Sequence, residues 1–165
     1  MGLLSRFLGN NIEARLLPKP KLEKRDITYD PNLVHNLKED HRQIFRHYEA
    51  VTAAFNSRAF DLIPARLGDL KLSLQAHLVV ENVRFYAYVQ QQFALDPETS
   101  EFIADLREEM DSIGRTARQF VNRYTQERIN EYNQNDFKAT LELIGAVLTR
   151  RIQLEESRLY SLYMP

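Results

Sequence analysis

Cysteine is absent from this 165-residue chain. That excludes disulfides, thiolate nucleophiles, iron–sulfur ligation and cysteine-based zinc sites. It agrees with a cytoplasmic location, the expectation here. Glycine is scarce, with five residues in all, and no Gly-rich loop that could cradle a phosphate occurs. No Ser, His and Asp fall into a recognisable triad, so the chain is not expected to be an enzyme. Neither sign of charge dominates. The formal net charge is −1, which argues against a nucleic-acid binder working by bulk electrostatics. No apolar run reaches the ~20 residues of a membrane span.

What is present is a composition 44% hydrophobic and 27% charged. That marks a globular chain able to bury one real core. Residues 1–29 read as an extended N-terminal tail and residues 30–165 as the folded domain. The tail opens with Met1–Leu8, whose apolar residues Leu3, Leu4, Phe7 and Leu8 have a short helical spacing. It lacks the apolar length and cleavage site of a signal peptide. Arg6 stands where a myristoylation pattern wants Ser or Thr. Leu17-Pro18-Lys19-Pro20-Lys21 then reads as an extended linker.

Asp30-Pro31 is a helix start, with Asp as N-cap and Pro in the first turn. The first helix is expected to run to about residue 55, with Leu33, Leu37, Ile44, Tyr48, Val51 and Phe55 on one face. A second helix, from about residue 60 to 93, carries Ile63, Leu67, Leu70, Leu74 and Tyr88, with either Arg84 or Phe85 facing inward. Asp96-Pro97 ends it. Thr99 or Ser100 caps a third helix bearing Ile103, Leu106, Met110, Ile113, Ala117, Phe120 and Tyr124. Asn135 or Asp136 caps a fourth bearing Leu141, Ile144, Leu148, Leu159 and Leu162. The steps alternate between three and four, and no stretch alternates with period two. The chain is therefore expected to be all-α, an antiparallel up-down-up-down four-helix bundle.

Three of the four seams are broken at mid-helix by polar residues. His41 interrupts the first, His77 and Glu81 the second, and Arg151 and Glu155 the fourth. His77 and Glu81 are one turn apart and share a face. Polar groups meeting at one level of a bundle are how such folds build metal and cofactor sites. His35 and His47 lie off the seam and read as surface residues. The aromatics Phe85, Tyr86, Tyr88, Phe93, Tyr160 and Tyr163 read as closing one end of the core.

Asp40-His41, His77-x3-Glu81 and Arg151-Ile152-x2-Glu155-Glu156-x2-Leu159-Tyr160 resemble the hemerythrin-like (HHE) cation-binding family over roughly residues 30–163. In that family five histidines and two bridging carboxylates hold two irons. The resemblance implies His41, His77, Glu81 and Glu156 as ligands of one ion. At the positions of the other ion's three histidines stand Leu106, Met110 and Arg151. Two readings follow. Either one divalent metal (iron, manganese or zinc) binds His41, His77, Glu81 and Glu156, or none binds and Arg151 pairs with Glu81, Glu155 or Glu156. The resemblance implies a sensory or regulatory binding role. A metal-free interaction protein is the alternative: Ile144-Gly145-x2-Leu148-x2-Arg151-x2-Leu154-Glu155 is similar to the last helix of the regulator-of-sigma-D family. An unidentified protein partner and a homodimer are both compatible with the sequence.

Overall fold

The computed structural model describes residues 26–165, and the predicted tail therefore lies almost wholly outside it. Helix α1 spans Leu33–Asn56. A single 3-10 turn, Phe60–Leu62, leads into α2, Ile63–Val80. A π-helical segment, Glu81–Tyr86, joins α2 to α3, Ala87–Gln92, so that the three form the second long rod. Helix α4 spans Pro97–Gln126 and α5 spans Gln134–Leu154. A second π-helical segment, Glu155–Leu159, and a 3-10 turn, Tyr160–Leu162, extend α5. The described residues contain no strand.

Cross-helix pairs give the topology. Tyr48 donates to the Leu141 carbonyl while His41 meets Glu156, so α1 and α5 run antiparallel. Lys71 meets Asn122 and Asn82 meets Arg107, which sets α2 antiparallel to α4. The rods thus form the expected all-helical bundle.

Local chemistry moved several helix ends. Asp30 Oδ1 accepts the Asn32 amide at 3.0 Å and forms a turn before the helix, which starts at Leu33 rather than at Pro31. Asp96, expected only to end the second helix, caps the next one. It accepts from the Thr99 amide and, at 2.6 Å, from the Thr99 hydroxyl. Asp136 is not a cap, because Arg123 and the Tyr124 hydroxyl hold it at 2.7 and 2.8 Å.

The apolar core is in two parts. One contains Ile44, Leu74, Met110 and Leu148 and runs to the closed end at Phe137 and Tyr124. The other contains Leu37, Phe85, Leu106 and Leu159 and is closed by Tyr88, Tyr160 and Tyr163. Between them lie the buried polar residues His41, His77, Glu81, Arg151 and Glu155.

Helices α1 and α5 approach closely where Gly145 faces Tyr48. A Cβ at position 145 would overlap the Tyr48 hydroxyl and ring. Gly145→Ala is therefore expected to cost about 1–3 kcal/mol through overpacking, read as a lower urea midpoint with an unchanged m-value.

Candidate metal centre

The two histidines project from neighbouring helices into one layer, with ring centroids 4.7 Å apart. Both are buried. Each turns its Nδ1 outward to a carboxylate: His41 Nδ1 to Glu156 Oε1 at 2.8 Å, and His77 Nδ1 towards Asp40 Oδ2 at 3.7 Å. Each turns its Nε2 inward. His41 Nε2 lies 3.1 Å from Glu155 Oε2, and His77 Nε2 lies 3.9 Å from Glu81 Oε2. A carboxylate behind an inward-facing imidazole is the arrangement that fixes the tautomer of a metal-bound histidine.

His41 Nε2 meets the Tyr160 hydroxyl at 3.2 Å, but other atoms of the layer are short of partners. Both nitrogens of His77, Oε2 of Glu81 and Oε2 of Glu155 are buried without a hydrogen bond. A buried polar atom left unpaired costs about 1–3 kcal/mol. Ligand atoms of His41, His77 and Glu155 lie within 4.8 Å of one another. Two imidazoles with carboxylate oxygens suit a divalent ion such as iron, manganese or zinc.

Burial and charge divide the two carboxylates. Burial would raise Glu155, but the His41 contact and the Arg151 guanidinium outweigh it and hold this carboxyl below its usual range. Burial raises Glu81 well above that range, and the Glu155 charge adds to the effect. Glu155 is thus the more acidic of the two, and without a metal Glu81 is the one that more readily keeps a proton; its Oε1 accepts from the Tyr160 hydroxyl at 3.3 Å. Burial, followed by the field of Glu81, also pushes the Tyr86 and Tyr160 hydroxyls far up, so both stay protonated. Desolvation, with the charge of His41 adding to it, lowers His77 to about 4, and the ring is neutral at physiological pH.

Arg151 occupies the other side of the layer. Its Nε donates to Glu155 Oε1 at 2.6 Å. One terminal nitrogen meets Glu109 Oε2 at 3.2 Å and the other the Tyr86 hydroxyl at 2.5 Å. Of the three pairings foreseen for Arg151 the structure forms one, with Glu155; Glu81 and Glu156 are not among its hydrogen-bond partners. Leu106 and Met110 are buried in the apolar clusters on either side of this layer.

A model of the hemerythrin HHE cation binding domain matches residues 32–163. The chain belongs to this family. No curated protein and no solved structure matches it. The HHE ligand set is incomplete here, with three clustered candidates, His41, His77 and Glu155. Glu81 lies beside them. Glu156, chosen from the family pattern, is instead 36% exposed and sits behind His41. The seam spacing had placed Glu155, one residue earlier, on the inner face. Asp40, Tyr86 and Tyr160 were missed as parts of this layer. Asp40 lies next to His41 in sequence, and its contact is with His77 on another helix. Spacing marks both tyrosines as core, and Tyr160 also closes the family-like run that begins at Arg151.

The clustered His41, His77 and Glu155 of this HHE domain could hold a cation. The unpaired His77 Nε2, Glu81 Oε2 and Glu155 Oε2 face one side, where one ion would satisfy them together; the unpaired His77 Nδ1 faces Asp40 instead. On the other side the Arg151 guanidinium already supplies a positive charge to Glu155.

Proposed function

We propose that the domain binds one divalent metal through Nε2 of His41, Nε2 of His77 and carboxylate oxygens of Glu155 and Glu81. The observation that carries this reading is the convergence of three unpaired buried atoms, one each from His77, Glu81 and Glu155, beside His41 Nε2. Arg151 takes the place of a second ion. Glu155 would serve both charges, its Oε1 held by the guanidinium and its unpaired Oε2 left to help hold the ion. Asp40 and Glu156 orient the two imidazoles and are not ligands. The bound ion would supply positive charge and a coordination position open to a small ligand.

A sensory or regulatory role follows from that chemistry better than an enzymatic one. The two tyrosine hydroxyls of the layer stay protonated and neither can serve as a base at neutral pH. The ion would tie α1, α2 and α5 at one level, so its loss or change of state would be felt by three rods.

Metal analysis of protein expressed in metal-replete medium and purified without chelator tests the assignment. The expected result is close to one equivalent per chain, falling to background in His77→Ala. Glu156→Gln should keep the stoichiometry and weaken affinity by about 10–100-fold, the usual effect of losing an outer carboxylate. Two equivalents would overturn the role of Arg151. A background level in wild-type protein would favour the metal-free interaction bundle.

A further inference from the structure

A cleft of about 530 Å³ opens between α2 and α4, on a different face of the second rod from His77 and Glu81. Its floor is apolar, built from Leu74, Leu78, Phe120, Val121, Ile144 and Leu148. Its lip is apolar as well: Val79 and Val83 are 62% and 63% exposed. Lys71, Gln75, Asn82, Asp111 and Arg118 supply its polar lining. An open apolar cleft with helical walls suits the apolar face of a short helix.

We propose that residues Met1–Leu8 of the same chain occupy this cleft, with Leu3, Leu4, Phe7 and Leu8 against its floor and lip. Three observations support this occupant. The first is pattern: apolar residues at positions 3, 4, 7 and 8 share one face of a helix.

The second is charge. Residues 1–25 hold six basic side chains and only two acidic ones, Glu13 and Glu23, a net charge of +4. The whole chain is −1, so residues 26–165 carry −5. A basic segment is thus joined to an acidic bundle; Asp111 in the cleft is accompanied by Lys71 and Arg118, so the attraction is to the domain as a whole and the apolar face is what seats the segment.

The third is reach. The described chain begins beside α3, where the Ile27 amide donates to Gln91 Oε1 at 3.0 Å. From Gln91 back to Val83 is roughly 12 Å along the rod at helical rise. The stretch from Gly9 to Arg25, fully extended, spans roughly 55 Å, enough to pass around the rod. A tether of that length also gives a high effective concentration, so weak contacts suffice.

The chain has no cysteine of its own, which allows a direct test in the full-length protein. Phe7→Cys is combined with Val79→Cys, and as a control with Leu143→Cys, which is exposed on α5. Under mild oxidation the first pair is expected to form an intramolecular disulfide roughly tenfold faster than the control, as for a docked rather than a freely tethered segment. A second variant, Leu4→Asp/Phe7→Asp, should increase the fluorescence of a hydrophobic dye by uncovering the cleft. Equal rates for the two pairs would overturn the proposal, and so would disulfide dimers whose yield rises with concentration. Unchanged dye binding in Leu4→Asp/Phe7→Asp would overturn it independently.

Discussion

Arg151→Met is expected to destabilise the bundle by about 3–5 kcal/mol, measured by urea unfolding in the presence of chelator. The reason is what the change leaves behind. Glu155 is fully buried and ionised, and it is held by Arg151 Nε at 2.6 Å. Without the guanidinium, its remaining neighbour is the His41 ring. The Tyr86 hydroxyl loses its partner at the same time. Glu109 adds little to the penalty, because it is 55% exposed and water replaces the contact. Lysine keeps the charge and loses the planar fork that serves Glu155, Glu109 and Tyr86 together, so Arg151→Lys should fall between wild type and Met. Arg151→Met/Glu155→Gln should recover much of the loss, since the stranded charge is gone. A loss below about 1 kcal/mol for Arg151→Met would mean that Glu155 is neutralised by other means.

Acid should weaken the metal-free fold through His77. Its ordinary value is 6.5 and burial, with the nearby His41, lowers it to about 4 in the folded state. Between those limits the unfolded chain binds a proton that the folded chain refuses. The contribution is complete above about pH 6.5 and is lost progressively as pH falls towards 4, by about 3 kcal/mol in all. Glu81 works in the opposite sense. Its folded pKa is raised, so its proton stabilises the fold at low pH and that contribution fades as pH climbs towards the raised value. The two partly cancel in wild type. The rise of unfolding free energy with pH between 4 and 6.5 should therefore steepen in Glu81→Gln, whereas in His77→Gln the opposing Glu81 contribution is left and the slope should shift towards a fall with rising pH. Parallel curves for wild type and His77→Gln would rule out a buried neutral imidazole.

The rods and the level of the polar layer were legible because both depend on spacing. Leu37, Ile44, Leu74 and Leu148 mark the seams, and His41, His77, Glu81, Arg151 and Glu155 stand out as interruptions. The residues just beyond Glu81 and Glu155 were less legible. A straight seam had to choose between Arg84 and Phe85. In the structure Phe85 and Tyr86 are both buried, as are Leu159 and Tyr160. A π turn advances the backbone by less angle per residue, so two consecutive side chains can face the core. Both wide turns begin at a layer carboxylate, Glu81 and Glu155. No simple period encodes such a turn. The outer carboxylates were hidden for another reason: Asp40 and Glu156 act on rings from other helices, and only tertiary packing shows the contact.

The polar layer also separates the two halves of the bundle mechanically. The half that contains Leu33, Val89 and Tyr163 gathers the start of α1, the second rod beyond Glu81, the start of α4 and the turns after Leu154, stitched by stacked rings and by the Tyr88 hydroxyl on the Met164 carbonyl. The other half is built from α1, α2, α4 and α5 and is closed by the α1–α2 and α4–α5 connections. Where two apolar blocks meet across charged groups and not across interlocking side chains, they need not melt as one. The expected consequence is that the half around Tyr163 opens ahead of the rest in native-state hydrogen exchange, and an ion held between His41, His77 and Glu155 would oppose that opening.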